Sequence, residues 1–244
     1  MTTPHGPMDQ FKIYEIIPLE FMGSNISITN ATVWLAIVTV ALITFQHFAL
    51  RKATLVPNKL QLILESSYDF IAHMIGDTVG KGGKAYAPFI FTLFMFILFS
   101  NLFGMLPYGF TITSHFAVTL SLALLFFVAI TIIGFVKHGL HFFSLFLPAG
   151  APKILAPLLI FLELISYLVR PLTLSLRLFL NMMAGHVILK VFAGFSVMVG
   201  VYFGIFPALF NVLFVGFEFF VAGLQAYIFT ILVCIYLNDS VNLH

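Results

Sequence analysis

Charge is what this 244-residue chain has least of. Asp, Glu, Lys and Arg make up 8% of it, against 61% hydrophobic residues. Between Ala85 and Val136 there is no charged residue at all. A soluble core helix does not read that way, and the mean hydropathy of +1.10 places the chain among membrane proteins. The net charge of +2 comes with no basic patch interleaved with aromatics, so nucleic acid is not an expected partner. There is one cysteine, Cys234, which has no second thiol for a disulfide or a Cys-based metal site and reads as a small buried hydrophobe. No G-x-x-x-x-G-K-[ST], G-x-S-x-G or H-E-x-x-H pattern occurs, and His138 and His141 have no acid beside them. Neither bond chemistry of the chain's own nor a cofactor or metal is expected. The N-terminus lacks a basic stretch followed by an apolar core, so a cleavable signal peptide is not expected.

The apolar runs predict an all-α polytopic membrane protein of about five membrane helices plus one amphipathic helix. It is read as a single membrane domain over 1–244. An extramembrane segment covers 1–28, peripheral helices cover 29–137, and a long-helix hairpin covers 153–238. A first span runs from about Thr29 to Leu50 and ends in Arg51-Lys52. From about Asn58 to Gly80, Glu65, Asp69, His73 and Asp77 recur every four residues, which makes one face polar. The turn Gly80-Lys-Gly-Gly-Lys84 closes that helix. Spans at about 88–105, stopping at Gly104 and Pro107, and about 115–136 follow, then a loop with Pro148, Gly150 and Pro152.

Two apolar stretches, about 154–191 and 201–237, would each exceed ~50 Å as unbroken helix, against a hydrocarbon core of ~30 Å. Each is either two spans or one long helix, tilted or bent, with Pro171 and Pro207 as bend points. No polar turn divides either stretch, which favours two long helices joined near Gly194 to Gly204. Basic residues set the orientation. Arg51, Lys52, Lys59, Lys81, Lys84, Lys137 and Lys153 fall on one side, and Lys12 and Lys190 on the other. That bias puts the N-terminus outside and the C-terminus on the cytoplasmic side.

The polar residues of the two long stretches are few and ordered. Glu163, Ser166, Arg170, Thr173, Arg177 and Asn181 follow spacings that form one helical stripe. Arg177 is the most telling. A guanidinium keeps its charge at any physiological pH, and in a bilayer it costs at least ~3 kcal/mol. On the second stretch Asn211, Glu218 and Gln225 are seven apart and share a face. His186, nine residues past Arg177, points to the opposite side, where an isolated imidazole and the isolated acid Glu218 invite pairing. Plainer readings stand beside these. Ser166, Thr173, Asn211 and Gln225 can serve as interhelical hydrogen-bonding glue. Arg170 can extend to the headgroups, Glu163 can pair with a basic neighbour, and Arg177 can belong to a structural ion pair. Two titratable groups and one permanent cation make a proton path with a barrier in it, and the cation would attract a carboxylate carried by another protein.

At these residues the chain resembles subunit a of the F-type ATP synthases. The resemblance rests on Ser175-Leu-Arg177-Leu-Phe-Leu-Asn181-Met-Met-Ala-Gly185-His186 and on Leu224-Gln225-Ala226-Tyr227-Ile228-Phe229. Asn101-Leu-Phe-Gly-Met-Leu-Pro107 is a third motif. It implies a proton-conducting stator subunit with two offset half-channels. Its partners would be a ring of c subunits, b-type peripheral-stalk subunits, the rest of the synthase and the lipid bilayer. Arg177 would be the essential arginine facing the ring, flanked by Asn181 and Gln225. His186 and Glu218 would lie in the half-channel open to the outside, and Glu163 in the cytoplasmic one. Arg170, Thr173, Ser166, Asn211 and Asn101 would support them. Many bacterial members have the acid and the histidine exchanged between the positions of His186 and Glu218, and some carry acids near Gly104 and Gly109, where this chain has none. The exchange resembles the mitochondrial type. The implied location is the bacterial inner membrane, with the mitochondrial inner membrane as the alternative. The competing functional reading is a secondary transporter or ion channel that uses Arg177 to anchor an anion.

Overall fold

The computed structural model describes residues 11–18, 20–21, 24–25, 27–51, 54–106, 109–146 and 155–242. Residues 1–10, Lys52, Pro107, the loop at 148–152 and Lys153 lie outside them. Six α-helices occur among the described residues: α1 (Asn30–Leu50), α2 (Lys59–Thr78), α3 (Ala87–Gly104), α4 (Phe116–His138), α5 (Ala156–Met198) and α6 (Val201–Val241). All but α2 are long and apolar enough to span a membrane. The chain is thus an all-α polytopic membrane protein. Its exposed surface is dominated by side chains such as Val40, Val128, Leu168, Phe206 and Leu213, which hydrocarbon accepts and water does not.

Each long apolar stretch proves to be one helix, of 43 and 41 residues, with Pro171 and Pro207 inside them. The turn between them is Val199-Gly200. Gly200 adopts φ +82°, a left-handed conformation that favours glycine. Ser196 Oγ donates to Gly204 O across the turn at 2.7 Å. A Cβ on Gly204 would collide with the Ser196 carbonyl. The position of this turn agrees with the sequence expectation.

Packing groups the chain into two compact units. One comprises residues 1–45, 95–116 and 178–226, the other 46–94, 117–177 and 227–244. In the first, the segment before α1 contains two short antiparallel pairs, β1 (Glu15–Ile17) with β4 (Ile28–Thr29) and β2 (Glu20–Phe21) with β3 (Ser24–Asn25). These pairs were not anticipated from the sequence. Asn30 ties this segment to α1. Its Oδ1 accepts from Tyr14 N (3.2 Å) and Ala31 N (3.0 Å), and its Nδ2 donates to Lys12 O (3.1 Å). Such a side chain satisfies amides that a helix start leaves free. Phe192 stacks on Phe214 at 5.4 Å and so zips α5 to α6 near the turn.

In the second unit α2 shows the expected amphipathic pattern. Leu64, Ile71, Met74 and Ile75 are buried, and Glu65, Asp69, His73 and Asp77 are exposed. Gly80, at φ +78°, ends it, and a 3₁₀ segment (Lys81–Tyr86) leads into α3. On α4 the buried residues Thr119, Ala123, Phe126, Ile130 and Gly134 form one stripe. A second 3₁₀ segment (Gly139–Phe146) folds Phe142 back over Gly134, where a Cβ would strike its ring. Phe142, Phe146 and Tyr167 form a buried aromatic cluster. Lys137 Nζ and His138 Nε2 each lie 3.0 Å from Val241 O, placing polar nitrogen groups on a terminal carbonyl of α6.

Candidate functional site

Arg177 is exposed on α5. Among the described residues no carboxylate lies within salt-bridge distance of it, and its side chain makes no hydrogen bond. The structural ion pair that the sequence left open is therefore absent among those residues. One turn on, Asn181 Nδ2 donates to Gln225 Oε1 at 2.9 Å, joining α5 to α6 through two amides of the predicted set. Gln225 is 2% exposed, whereas Asn181 is open to the surface.

The other arginine behaves differently. Arg170 Nη1 donates to Asp239 Oδ2 at 2.9 Å, and Nη2 reaches Glu163 Oε1 at 3.5 Å. Its guanidinium also lies 5.0 Å from the centre of the Tyr236 ring and 5.6 Å from that of Tyr167. Charge and aromatic faces thus compensate its loss of water. Arg170 is a paired charge, and Glu163 is its partner. Sequence reading did not single out Asp239. A signal existed, because Glu218, Gln225 and Asp239 are separated by multiples of seven and so share a face of α6.

His186 and Glu218 do come together. Nε2 lies 3.7 Å from Glu218 Oε1, beyond hydrogen-bond range but in electrostatic contact. Glu218 is 4% exposed, and among the described residues neither of its carboxylate oxygens has a hydrogen-bond partner. The close approach depends on Gly185, whose Cβ, if present, would be 2.6 Å from Glu218 Oε1. Two cavities border this acid. One, of about 600 Å³, is lined by Asn30, Trp34, Gly109, His186, Lys190 and Glu218 among others. The second, of about 330 Å³, is lined by Asn181, Ala184, Gly185, Glu218 and Leu224 among others. His186 borders only the first, and Glu218 borders both. Thr111, which sequence reading did not single out, has its Oγ1 2.9 Å from His186 Nε2. It sits in an irregular segment where no periodicity points to it. Nearby, His115 stacks on Phe110 at 4.8 Å, and burial pushes its pKa below the ordinary histidine value.

Of the remaining predicted residues, Asn101 and Thr173 make hydrogen bonds within the protein. Asn101 is fully buried and its Nδ2 donates to Ala222 O at 3.1 Å, fastening α3 to α6. Thr173 returns its hydroxyl to its own helix, at Arg170 O (3.0 Å) and Val169 O (3.2 Å). Ser166 is exposed on α5. Asn211 has a buried Oδ1 without a hydrogen-bond partner among the described residues.

A sequence profile of the family described as ATP synthase A chain matches residues 31–238. The chain belongs to that family. Among curated proteins it is similar to ATP synthase subunit a of Pelagibacter ubique (strain HTCC1062). The two are 51% identical over 240 residues, which cover 98% of each chain. It is likewise 50% identical to ATP synthase subunit a of Rhodospirillum rubrum over 240 residues, 98% of this chain and 100% of the other. Arg177, Asn181, His186, Glu218 and Gln225 all fall inside the part that matches the ATP synthase A chain family.

Proposed function

We propose that the chain is the proton-conducting stator subunit of a rotary ATP synthase, with Arg177 as the charge barrier that faces the ring of c subunits. Membership of the family supports the assignment to the synthase. The observation that carries the arginine's role is its isolation. It is exposed on an apolar helix and has no anion beside it among the described residues, while Arg170 seven residues earlier is fully engaged. A fixed cation kept at ~3 kcal/mol or more needs a counter-charge. A carboxylate travelling on a neighbouring ring supplies one.

Protons enter from the outside through the 600 Å³ cavity, pass His186 and Glu218, and reach the 330 Å³ cavity beside Asn181. From there they neutralise a ring carboxylate. Arg177 repels a proton that would cross directly, so the proton leaves only after the ring has carried it round to a cytoplasmic exit lined by Glu163. Each proton releases ~2.3 kcal/mol per 100 mV of membrane potential, and the barrier makes that energy available to rotation. The chain performs no chemistry on ATP. It works in the bacterial inner membrane with its N-terminus outside and its C-terminus cytoplasmic, beside the c ring and b-type peripheral-stalk subunits.

The test is Arg177→Ala in the assembled complex. ATP synthesis driven by a proton gradient is lost while the complex still co-purifies with its ring. Normal synthesis would remove the arginine from the mechanism. The chain alone in liposomes should conduct no protons, and steady flux would favour a channel or transporter instead.

A further inference from the structure

The link between α3 and α4 contains no charged residue, yet it delivers a polar atom to His186. Thr111 is 5% exposed. Its Oγ–H donates to Gly104 O at 3.1 Å, and its Oγ1 lies 2.9 Å from His186 Nε2. A threonine hydroxyl offers one hydrogen and two acceptor lone pairs. A carbonyl only accepts, so while the hydrogen is on Gly104 O, the contact to the imidazole is Nε2–H donating to Oγ1. The same Nε2 is 3.7 Å from Glu218 Oε1, too far for a hydrogen bond. In that arrangement the threonine holds the imidazole proton, with the acid close by and both of its oxygens without a hydrogen-bond partner among the described residues.

We infer that Thr111 is a positioning residue for proton transfer between His186 and Glu218, an inference that rests on reading those two as the proton-carrying pair. The imidazolium gives its Nε2 proton to the Glu218 carboxylate. The N–H bond breaks, an O–H bond forms, and a neutral imidazole with Nδ1–H remains. Nε2 then has a lone pair, and the Thr111 hydroxyl turns from Gly104 O to donate to it. The hydroxyl can bond Nε2 in either protonation state, and it does not compete for the proton as a carboxyl would.

The surrounding packing fixes the threonine for this task. Ser114 Oγ donates to Thr111 O at 2.6 Å. A Cβ on Gly104 would lie 2.7 Å from Thr111 Cγ2 and 3.1 Å from its Cα, so only glycine lets the end of α3 approach this closely. On another side the Phe11 ring meets the imidazole edge-on at 6.5 Å.

The experiment measures ATP synthesis after an acid–base jump in membrane vesicles containing the whole synthase, normalised to assembled complex. Thr111→Val keeps the shape and removes the hydroxyl, and its rate should fall about fivefold to tenfold, the effect of one lost hydrogen bond. Thr111→Ser keeps the hydroxyl and should stay within about twofold of the parent. If the valine variant fails to assemble, Thr111→Ala, which needs no added space, is read in its place. Equal losses in the serine and hydroxyl-free variants, or no loss in either, overturn the inference. His186→Ala and Glu218→Gln run alongside. Full activity in both sinks the reading of the pair itself, whereas their loss with an unaffected Thr111→Val sinks only the threonine's role.

Discussion

Gly185→Ala should impair proton transport without weakening the helix. A Cβ at this position would sit 2.6 Å from Glu218 Oε1, 3.0 Å from Cδ and 3.3 Å from Cγ. Ordinary contact needs about 3.4 Å, so the carboxylate must retreat by 3.4 − 2.6, or about 0.8 Å. Glu218 is 4% exposed and has little room to yield. The His186 contact is already stretched to 3.7 Å, so a shift of this size changes the donor–acceptor geometry outright. Displacements near 1 Å can cost up to ~100-fold in positioned reactions, and proton-driven ATP synthesis should fall about 10-fold to 100-fold. Intrinsic helix propensity predicts the opposite sign, because alanine is favoured over glycine by roughly 0.5–1 kcal/mol inside a helix. A loss of rate with normal assembly therefore cannot be blamed on a weakened α5. Shortening the acid by one methylene in Gly185→Ala/Glu218→Asp should restore part of the rate. The assay is ATP formed after an imposed proton gradient, per assembled complex. An unchanged rate in Gly185→Ala would refute the idea that this carboxylate must stay where it is.

Exchanging the pair, His186→Glu with Glu218→His, should retain more synthesis than either the acid–acid or the His–His single variant, since only the exchange keeps one acid and one imidazole; equal loss in all three argues against coupling. Asp239→Asn should lower thermal stability by about 1–2 kcal/mol, because Arg170 loses the charge at 2.9 Å and keeps only the longer contact to Glu163. Thermal unfolding in detergent measures it, and an unchanged midpoint would make that pair dispensable. Arg177→Ala in the same measurement should not lower the midpoint, as expected of an exposed charge that makes no bonded contact among the described residues.

The long elements were legible because a bilayer imposes a simple rule. Backbone groups must be satisfied internally, so an apolar run without a polar turn reads as helix, and α5 and α6 follow that rule over their whole length. The stripe on α5 holds Asn181 and the seven-residue series on α6 holds Gln225, which bond to each other, whereas His186 lies off that stripe and was matched to Glu218 because each stands alone on an apolar helix. Partners drawn from a different kind of segment were not legible. Thr111 meets His186 through a link of irregular backbone, and no period connects positions 75 residues apart. Asp239 was overlooked for a different reason: its place in the α6 series was visible, but only three-dimensional packing shows which guanidinium it takes.

The same link restricts where an acid can stand. Carboxylates in place of Gly104 and Gly109 would not fit here. A Cβ on Gly104 runs into Thr111, and one on Gly109 would lie 2.6 Å from Phe103 O and 2.9 Å from Leu106 O. Main-chain oxygens cannot move aside as a flexible side chain can, so the link would have to be rebuilt to admit an acid. Glu218 stands on α6 instead, and the link contributes a neutral hydroxyl and borders the 600 Å³ cavity. A single acid between two cavities, with no second carboxylate described beside it, avoids the like-charge repulsion that would disfavour its ionised form. Introducing Gly104→Asp should therefore reduce assembly first, by breaking the Thr111 contact, and gain no proton conduction in the complexes that remain; higher conduction per assembled complex would show that the link tolerates the acid.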